Sequence, residues 1–208
     1  MVDLTLNSLL DVEHRGWDSL CHATGALLCE TLKVSDVHLW TFDRFPTRRH
    51  LEDNLVCIGG PVHNKATALM LKRLEIPVRF DGYTLISDIT GRCYDTEIDG
   101  EGRIVTDFGV LVLAPNPFRK SSSVTMMMGT RTFGCAAVSR VLTSGNVKDT
   151  ERKLGTNTSV RWAIVEADVI EYFVARVRFV ESSGNGLDLA LPYHVVDRGR
   201  DAVAPAGE

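Results

Sequence analysis

Residues 54–74, NLVCIGGPVHNKATALMLKRL, carry the clearest structural pattern in the chain. Leu55–Ile58 is a short continuous apolar run, which is typical of a strand buried on both faces. Gly59-Gly60-Pro61 ends this run. Asn64 is a good N-cap residue for a helix over residues 65–74, where apolar positions recur at helical spacing. The stretch therefore predicts a strand, a glycine turn and a helix in succession.

A second unit of the same kind is predicted later in the chain. Residues 107–114 read as a buried strand that ends at Pro115-Asn116-Pro117, and residues 124–128 read as a further strand. The turn GTRTFG (residues 129–134) then leads into a predicted helix over residues 135–142. Because buried strands alternate with helices, the pattern predicts an α/β fold with a mostly parallel sheet flanked by helices. Residues 160–167 and 169–180 predict a late antiparallel edge or hairpin, with its turn around residues 166–168.

The order of these motifs resembles a known pattern. DNLVCIGGPVHN (residues 53–64) is followed by FGVL (108–111), NPF (116–118) and GTRTFGCAA (129–137). Together they resemble a poorly characterised prokaryotic family with the signature GGPxxN, NPF and GxRxxGxxA, related to the S-layer-like C-terminal region. The resemblance spans about residues 53–142 and implies a Rossmann-like fold and a bacterial source. It brings no catalytic assignment.

Length and composition indicate one globular domain that needs no disulfide or structural metal for stability. The chain has 208 residues, 44% of them hydrophobic, and a net charge of −4. We predict a single α/β domain over residues 1–197. Its residues 1–50 would form a helical lead-in (7–32) and a first strand (37–42), and residues 198–208 a disordered tail. The net negative charge argues against nucleic acid as a partner, because the chain has no excess of basic residues to bind a phosphate backbone.

The cysteines, the length of the apolar runs and the first ten residues predict a cytoplasmic protein without a metal. The five cysteines are odd in number and no pair has C-x-x-C spacing, so neither a disulfide framework nor a structural zinc site is predicted. No apolar run reaches the roughly 20 residues of a membrane span, and residues 1–10 carry no basic residue of a secretory signal. The sequence therefore predicts a cytoplasmic location and no membrane partner.

The two glycine turns and the NPF segment supply the predicted ligand-binding residues. In a parallel sheet, ligands bind where strands turn into helices at the carboxyl edge. Glycines allow close backbone approach, a helix N-terminus favours an anion, and a guanidinium makes paired contacts with phosphate or carboxylate. Asn116, held extended between two prolines, would present its amide at the same edge. The predicted site contains Gly59, Gly60, Asn64, Asn116, Gly129, Arg131 and Gly134.

The sequence leaves three functions open. The first is a cytoplasmic domain that binds a nucleotide-type or other anionic small molecule. The second is an enzyme on the same scaffold that cleaves or transfers an N-glycosidic bond of a nucleoside or NAD-like substrate, with an acid from residues 81–107. The third is a non-catalytic assembly subunit, either a homo-oligomer or the partner of another protein. Whether the chain is an enzyme stays open, and the sequence identifies neither a catalytic residue nor a cofactor.

Overall fold

A mixed six-stranded sheet lies at the centre of the protein in the computed structural model, which describes residues 48–143, 147–155 and 159–184. The predicted N-terminal helix, first strand and C-terminal tail lie outside these residues. The described strands are β1 (Leu55–Ile58), β2 (Val78–Asp81), β3 (Thr84–Ser87), β4 (Cys93–Tyr94), β5 (Glu97–Ile98), β6 (Ile104–Asn116), β7 (Arg119–Gly129), β8 (Arg161–Ile170) and β9 (Phe173–Ser182). The described helices are α1 (Arg48–Leu51), α2 (Lys65–Leu71), α3 (Thr132–Thr143) and α4 (Val147–Leu154).

The prediction of a Rossmann-like, mostly parallel sheet is wrong. The strand order is β1-β7-β6-β8-β9, with β5 paired to β6, and the neighbours pair antiparallel except for β1 and β7. The cause lies between β6 and β7, where only Pro117 and Phe118 separate two long strands. A parallel connection needs a crossover of about a dozen residues, so this short link forces a hairpin.

The late strands also form a hairpin, but its turn differs from the predicted one. β8 and β9 pair antiparallel, and the turn residues are Glu171 and Tyr172 instead of residues 166–168. Both turn residues have positive φ angles, 49° and 66°. That geometry belongs to the tight primed hairpin turns, which usually contain Asn or Gly. The sequence Glu-Tyr therefore gave no recognisable turn signal.

A separate three-stranded antiparallel sheet, β2-β3-β4, covers one side of the central sheet. We call this side the front face. Its core joins the central strands to α2 and to the small sheet through Val112, Met126, Met70 and Leu85. On the opposite side, the back face, α3 and α4 pack on the strands through Val138 and Leu154. The central strands are thus covered on both faces, which explains their continuous apolar runs.

The described helices are short. Among the described residues, no helix combines the length and the apolar character that a membrane span needs.

Candidate functional site

The two glycine turns meet at one edge of the central sheet. β1 and β7 are parallel neighbours, with Ile58 paired to Met127, so both strands end at the same edge. The N–H of Gly59 continues this pairing by donating to the carbonyl of Met127 at 2.8 Å. A Cβ on Gly60 would lie 3.2 Å from the carbonyl oxygen of Gly129, so the turns pack closely. We call residues 59–64 and 129–134 together the Arg131 edge.

The first turn is held together by Asn64. Its Oδ1 accepts hydrogen bonds from the N–H groups of Ala66 and Thr67, at 2.9 and 3.0 Å, and its amide donates to the carbonyl of Ile58 at 2.9 Å. These bonds make Asn64 the N-cap of α2, as the sequence predicted. The same bonds occupy both ends of the side-chain amide, so Asn64 fixes the turn in place.

The second turn is organised around a buried carboxylate. Asp107 lies on β6, fully buried, beneath the N-terminus of α3. Its oxygens accept hydrogen bonds from the N–H groups of Gly134 (2.6 Å), Arg131 (3.1 Å) and Phe108 (3.0 Å). The hydroxyls of Thr130 (2.5 Å) and Thr96 (3.0 Å) complete the set. Burial raises the pKa of the Asp107 carboxyl above its ordinary value, and these donors act against that rise.

This arrangement changes the role of the glycine turn. The chain's own carboxylate already occupies the place at the start of α3 where the sequence predicted an external anion. Gly134 serves packing, because a Cβ there would overlap the carbonyl oxygen of Phe108 on β6. An external anion at this edge must therefore be held mainly by side chains.

Arg131 is the side chain at this edge that remains suited to an external ligand. Its guanidinium lies over the ring of Tyr83, 4.0 Å from the ring centroid. Tyr83 comes from the turn between β2 and β3, and its hydroxyl lies 2.9 Å from Nε2 of His63. Within the described part of the chain, the Arg131 guanidinium donates no hydrogen bond to a protein acceptor. A cation held on an aromatic face thus keeps its N–H groups available.

Asn116 lies away from this cluster. Because β6 runs antiparallel to β7, the end of β6 is at the opposite edge of the sheet, where Asn116 pairs with Arg119. Its buried amide donates to the carbonyls of Leu51 (2.8 Å) and Asp53 (2.7 Å), and its Oδ1 accepts from the N–H of Phe118 (2.9 Å). We call this region, residues 51–54 and 116–123, the Asn116 edge.

The predicted site residues therefore separate into two groups, one at each edge of the central sheet. The structure brings Gly59, Gly60, Asn64, Gly129, Arg131 and Gly134 to one edge and leaves Asn116 at the other. Tyr83 and the buried Asp107 were missed as site residues. Asp107 had a usable signal, since a carboxylate inside an apolar strand needs several donors around it. Tyr83 had none, because only the folded hairpin brings it to Arg131.

Among the residues that the structure describes, no metal centre is favoured, and Cys57 is not suited to act as a nucleophile. No group of three or more His, Cys, Asp or Glu side chains there is arranged to hold a metal ion. Burial raises the pKa of the Cys57 thiol to about 12, so the reactive thiolate is not populated at neutral pH.

Comparisons with family models, curated proteins and solved structures find no match to this chain. The resemblance of residues 53–142 to the prokaryotic GGPxxN family stays a prediction.

Proposed function

We propose that this chain binds an anionic small molecule through Arg131, at the edge where β1 and β7 end. One observation carries the proposal: the Arg131 guanidinium rests 4.0 Å over Tyr83, with its N–H groups unbonded among the described residues. Two of the other described arginines are instead engaged with acids. Arg79 pairs with Asp88, and Arg103 with Asp99 and Glu101. A partly buried, oriented guanidinium without a carboxylate partner is the arrangement that recognises phosphate or carboxylate groups.

The neighbouring residues support this role in different ways. Tyr83 orients the guanidinium, and the contact of its hydroxyl with His63 joins the small sheet to the first turn. Gly60 and Gly129 let the two turns pack closely, because a Cβ on Gly60 would lie 3.2 Å from the carbonyl oxygen of Gly129, and a Cβ on Gly129 would overlap the backbone of Arg131. Asp107 anchors the start of α3 beneath Arg131 and thereby fixes the position of its backbone.

The ligand group that fits is a phosphate or a carboxylate. A guanidinium offers two parallel N–H donors that match two oxygens of either group. Arg131 lies on the Tyr83 ring and covers part of the surface on which a base would stack. The proposal therefore rests on the anionic group, whether a nucleotide or a simpler molecule carries it.

No observation favours the glycosidic-bond enzyme. The acids of residues 81–107 are largely engaged within the chain. Asp88 pairs with Arg79, Asp95 accepts from Thr84, and Glu97 accepts from Thr106. Hydrogen bonds from the backbone and side chain of Arg103 hold the pKa of Asp99 below its ordinary value. Asp107 is fully buried, so it does not reach a substrate at the surface.

Calorimetric titration of the full chain at low ionic strength tests the proposal. Inorganic phosphate, citrate and a set of nucleotides are the probes, and Arg79→Ala is the matched control because Arg79 is an exposed arginine with its own acid partner. We expect saturable binding that Arg131→Ala weakens about tenfold to hundredfold, the value of one charge-assisted contact. Arg79→Ala should leave binding unchanged. Absence of binding to any probe, or equal loss in both variants, would overturn the proposal.

A further inference from the structure

A second cation lies directly beside the Arg131 edge. Lys65 is the first residue of α2 and follows the N-cap residue Asn64. The N–H of Asn64 donates to the carbonyl of Gly60 at 3.0 Å, which closes the first glycine turn immediately before Lys65. Side chains of a helix tilt towards its N-terminus, so the Lys65 side chain leans towards this edge and away from the rest of α2.

The Lys65 side chain starts close to the ring that holds Arg131. Both α2 and the small sheet that carries Tyr83 lie on the front face. The Tyr83 hydroxyl is 2.9 Å from Nε2 of His63, and the centroids of the two rings are 5.7 Å apart. Lys65 follows His63 by only two residues. Because a lysine carries its charge on a long, flexible four-carbon stem, the ammonium group can reach a ligand that contacts Arg131.

Neither of these two cations has an acidic partner within the described part of the chain. Lys65 is exposed, and among the residues that the structure describes neither Lys65 nor Arg131 forms an ion pair. Asp81, at the end of β2, is the acidic residue nearest to Tyr83 in the chain, and it also forms no ion pair there. Two positive charges at one edge are therefore left for an external anion.

The stability of α2 does not explain the position of Lys65. A cation in the first turn is opposed by the partial positive charge of a helix N-terminus. The first turns of α2 and α3 contain no acidic residue that would offset it. Lys72, at the other end of α2, has the placement that the helix dipole favours. Lys65 therefore adds positive charge at a point where the helix itself gains nothing from it.

We infer that Lys65 is a second anion-binding residue of this site, and that the ligand carries two linked anionic groups of the diphosphate type. This inference rests on the function proposed for Arg131. The guanidinium, held on Tyr83, takes one anionic group, and the ammonium of Lys65 takes the next. The N–H groups at the start of α2 take no part, because Oδ1 of Asn64 already accepts two of them. Two cations from separate turns thus select a longer anion over a single phosphate.

Calorimetric titration of the full chain with inorganic phosphate and inorganic diphosphate at low ionic strength tests this inference. We expect diphosphate to bind at least about fivefold more tightly than phosphate. Lys65→Gln should weaken diphosphate binding about threefold to fivefold, the value of an exposed charged contact, and change phosphate binding less than about twofold. Lys65→Arg should keep the preference, because it keeps the charge. Lys72→Gln is the matched control, an exposed lysine at the opposite end of the same helix, and should change neither affinity.

The outcomes separate this inference from the proposed function. If neither phosphate nor diphosphate binds, the function proposed for Arg131 is wrong and the inference falls with it. If phosphate binding depends on Arg131 but diphosphate binds no better, or Lys65→Gln keeps the full preference, the inference alone is overturned. Equal losses in Lys65→Gln and Lys72→Gln would show a general charge effect and overturn it as well. Without ligand, the melting temperature of Lys65→Gln should not fall, and a clear fall would make Lys65 a structural residue.

Discussion

The two edges of the central sheet both carry polar residues in their turns, but they use them in opposite ways. At the Asn116 edge, the side chains are bonded to the backbone. Asn116 bonds three backbone groups, and Ser122 donates to the carbonyl of Glu52 at 2.8 Å. At the Arg131 edge, Asn64 and Asp107 also bond to the backbone, but the Arg131 guanidinium lies on Tyr83 and donates no hydrogen bond within the described part of the chain.

This difference separates residues that hold the fold from residues that can bind a ligand. A buried amide or carboxylate stabilises the fold only while all of its hydrogen bonds are made. A guanidinium oriented by an aromatic face is held in place without using its hydrogen-bond donors. We therefore expect substitutions of the first kind to change the free energy of unfolding, and those of the second kind to change ligand affinity.

The largest effect is expected for Gly134→Ala. The new methyl group would overlap the carbonyl of Phe108, where α3 crosses β6, and backbone on both sides prevents relief. We expect no folded protein, as judged by circular dichroism and thermal melting. Gly100→Ala is the control, because nothing lies within 4 Å of its Cβ position. A Gly134→Ala variant with a normal melt would return this glycine to the candidate ligand-binding residues.

The second-largest effect is expected for Asp107→Asn. One of the two carboxylate oxygens becomes an amide N–H₂ group that faces protein donors, and the negative charge at the start of α3 is lost. We expect the free energy of unfolding to fall by about 3–5 kcal/mol, the range for breaking a buried charged network. Chemical denaturation measures it. Asp88→Asn, an exposed surface pair with Arg79, should cost under about 1 kcal/mol.

Asn116→Ala sharpens the contrast between the two edges. It leaves two carbonyls and one N–H without partners in a buried place, so we expect a loss of about 2–4 kcal/mol in unfolding free energy. Phosphate affinity of the folded variant should stay unchanged, since Asn116 is at the far edge. Weaker phosphate binding with unchanged stability would mean that Asn116 contributes to the site after all.

Local structure was predictable wherever a few neighbouring residues determine it. The strand Leu55–Ile58, the cap at Asn64 and a helix after the second glycine turn all follow from short patterns. Strand direction was not predictable in this way, because the hairpin at Pro117 and Phe118 looked like the end of a strand. Val56, predicted to be buried, is 50% exposed, and β1 is the outermost strand of the central sheet among the residues that the structure describes.

The site was predictable only in part for the same reason. Both glycine turns follow strands that end at one edge, so their proximity was a sound prediction that depended on β1 and β7 being parallel. Asn116 was assigned to that edge because its strand was taken as parallel, and the antiparallel register carries it away. Tyr83 reaches Arg131 from a different sheet, and no local pattern in the sequence indicates such a contact.

The smallest effect is expected at Tyr83, where two substitutions separate the role of the ring from that of the hydroxyl. Tyr83→Leu removes the ring beneath the guanidinium and should weaken phosphate binding about threefold to tenfold, the value of a partly exposed cation–π contact. Tyr83→Phe keeps the ring and loses only the contact with His63, so affinity should change less than about twofold. The melting temperature should barely move, because Tyr83 is 37% exposed.

Nitrogen relaxation of the Arg131 side chain gives a readout without ligand: its Nε should become more mobile in Tyr83→Leu and stay ordered in Tyr83→Phe. Equal mobility in all three proteins would show that the ring does not orient Arg131, and the distinction drawn between the two edges would then lose its physical basis.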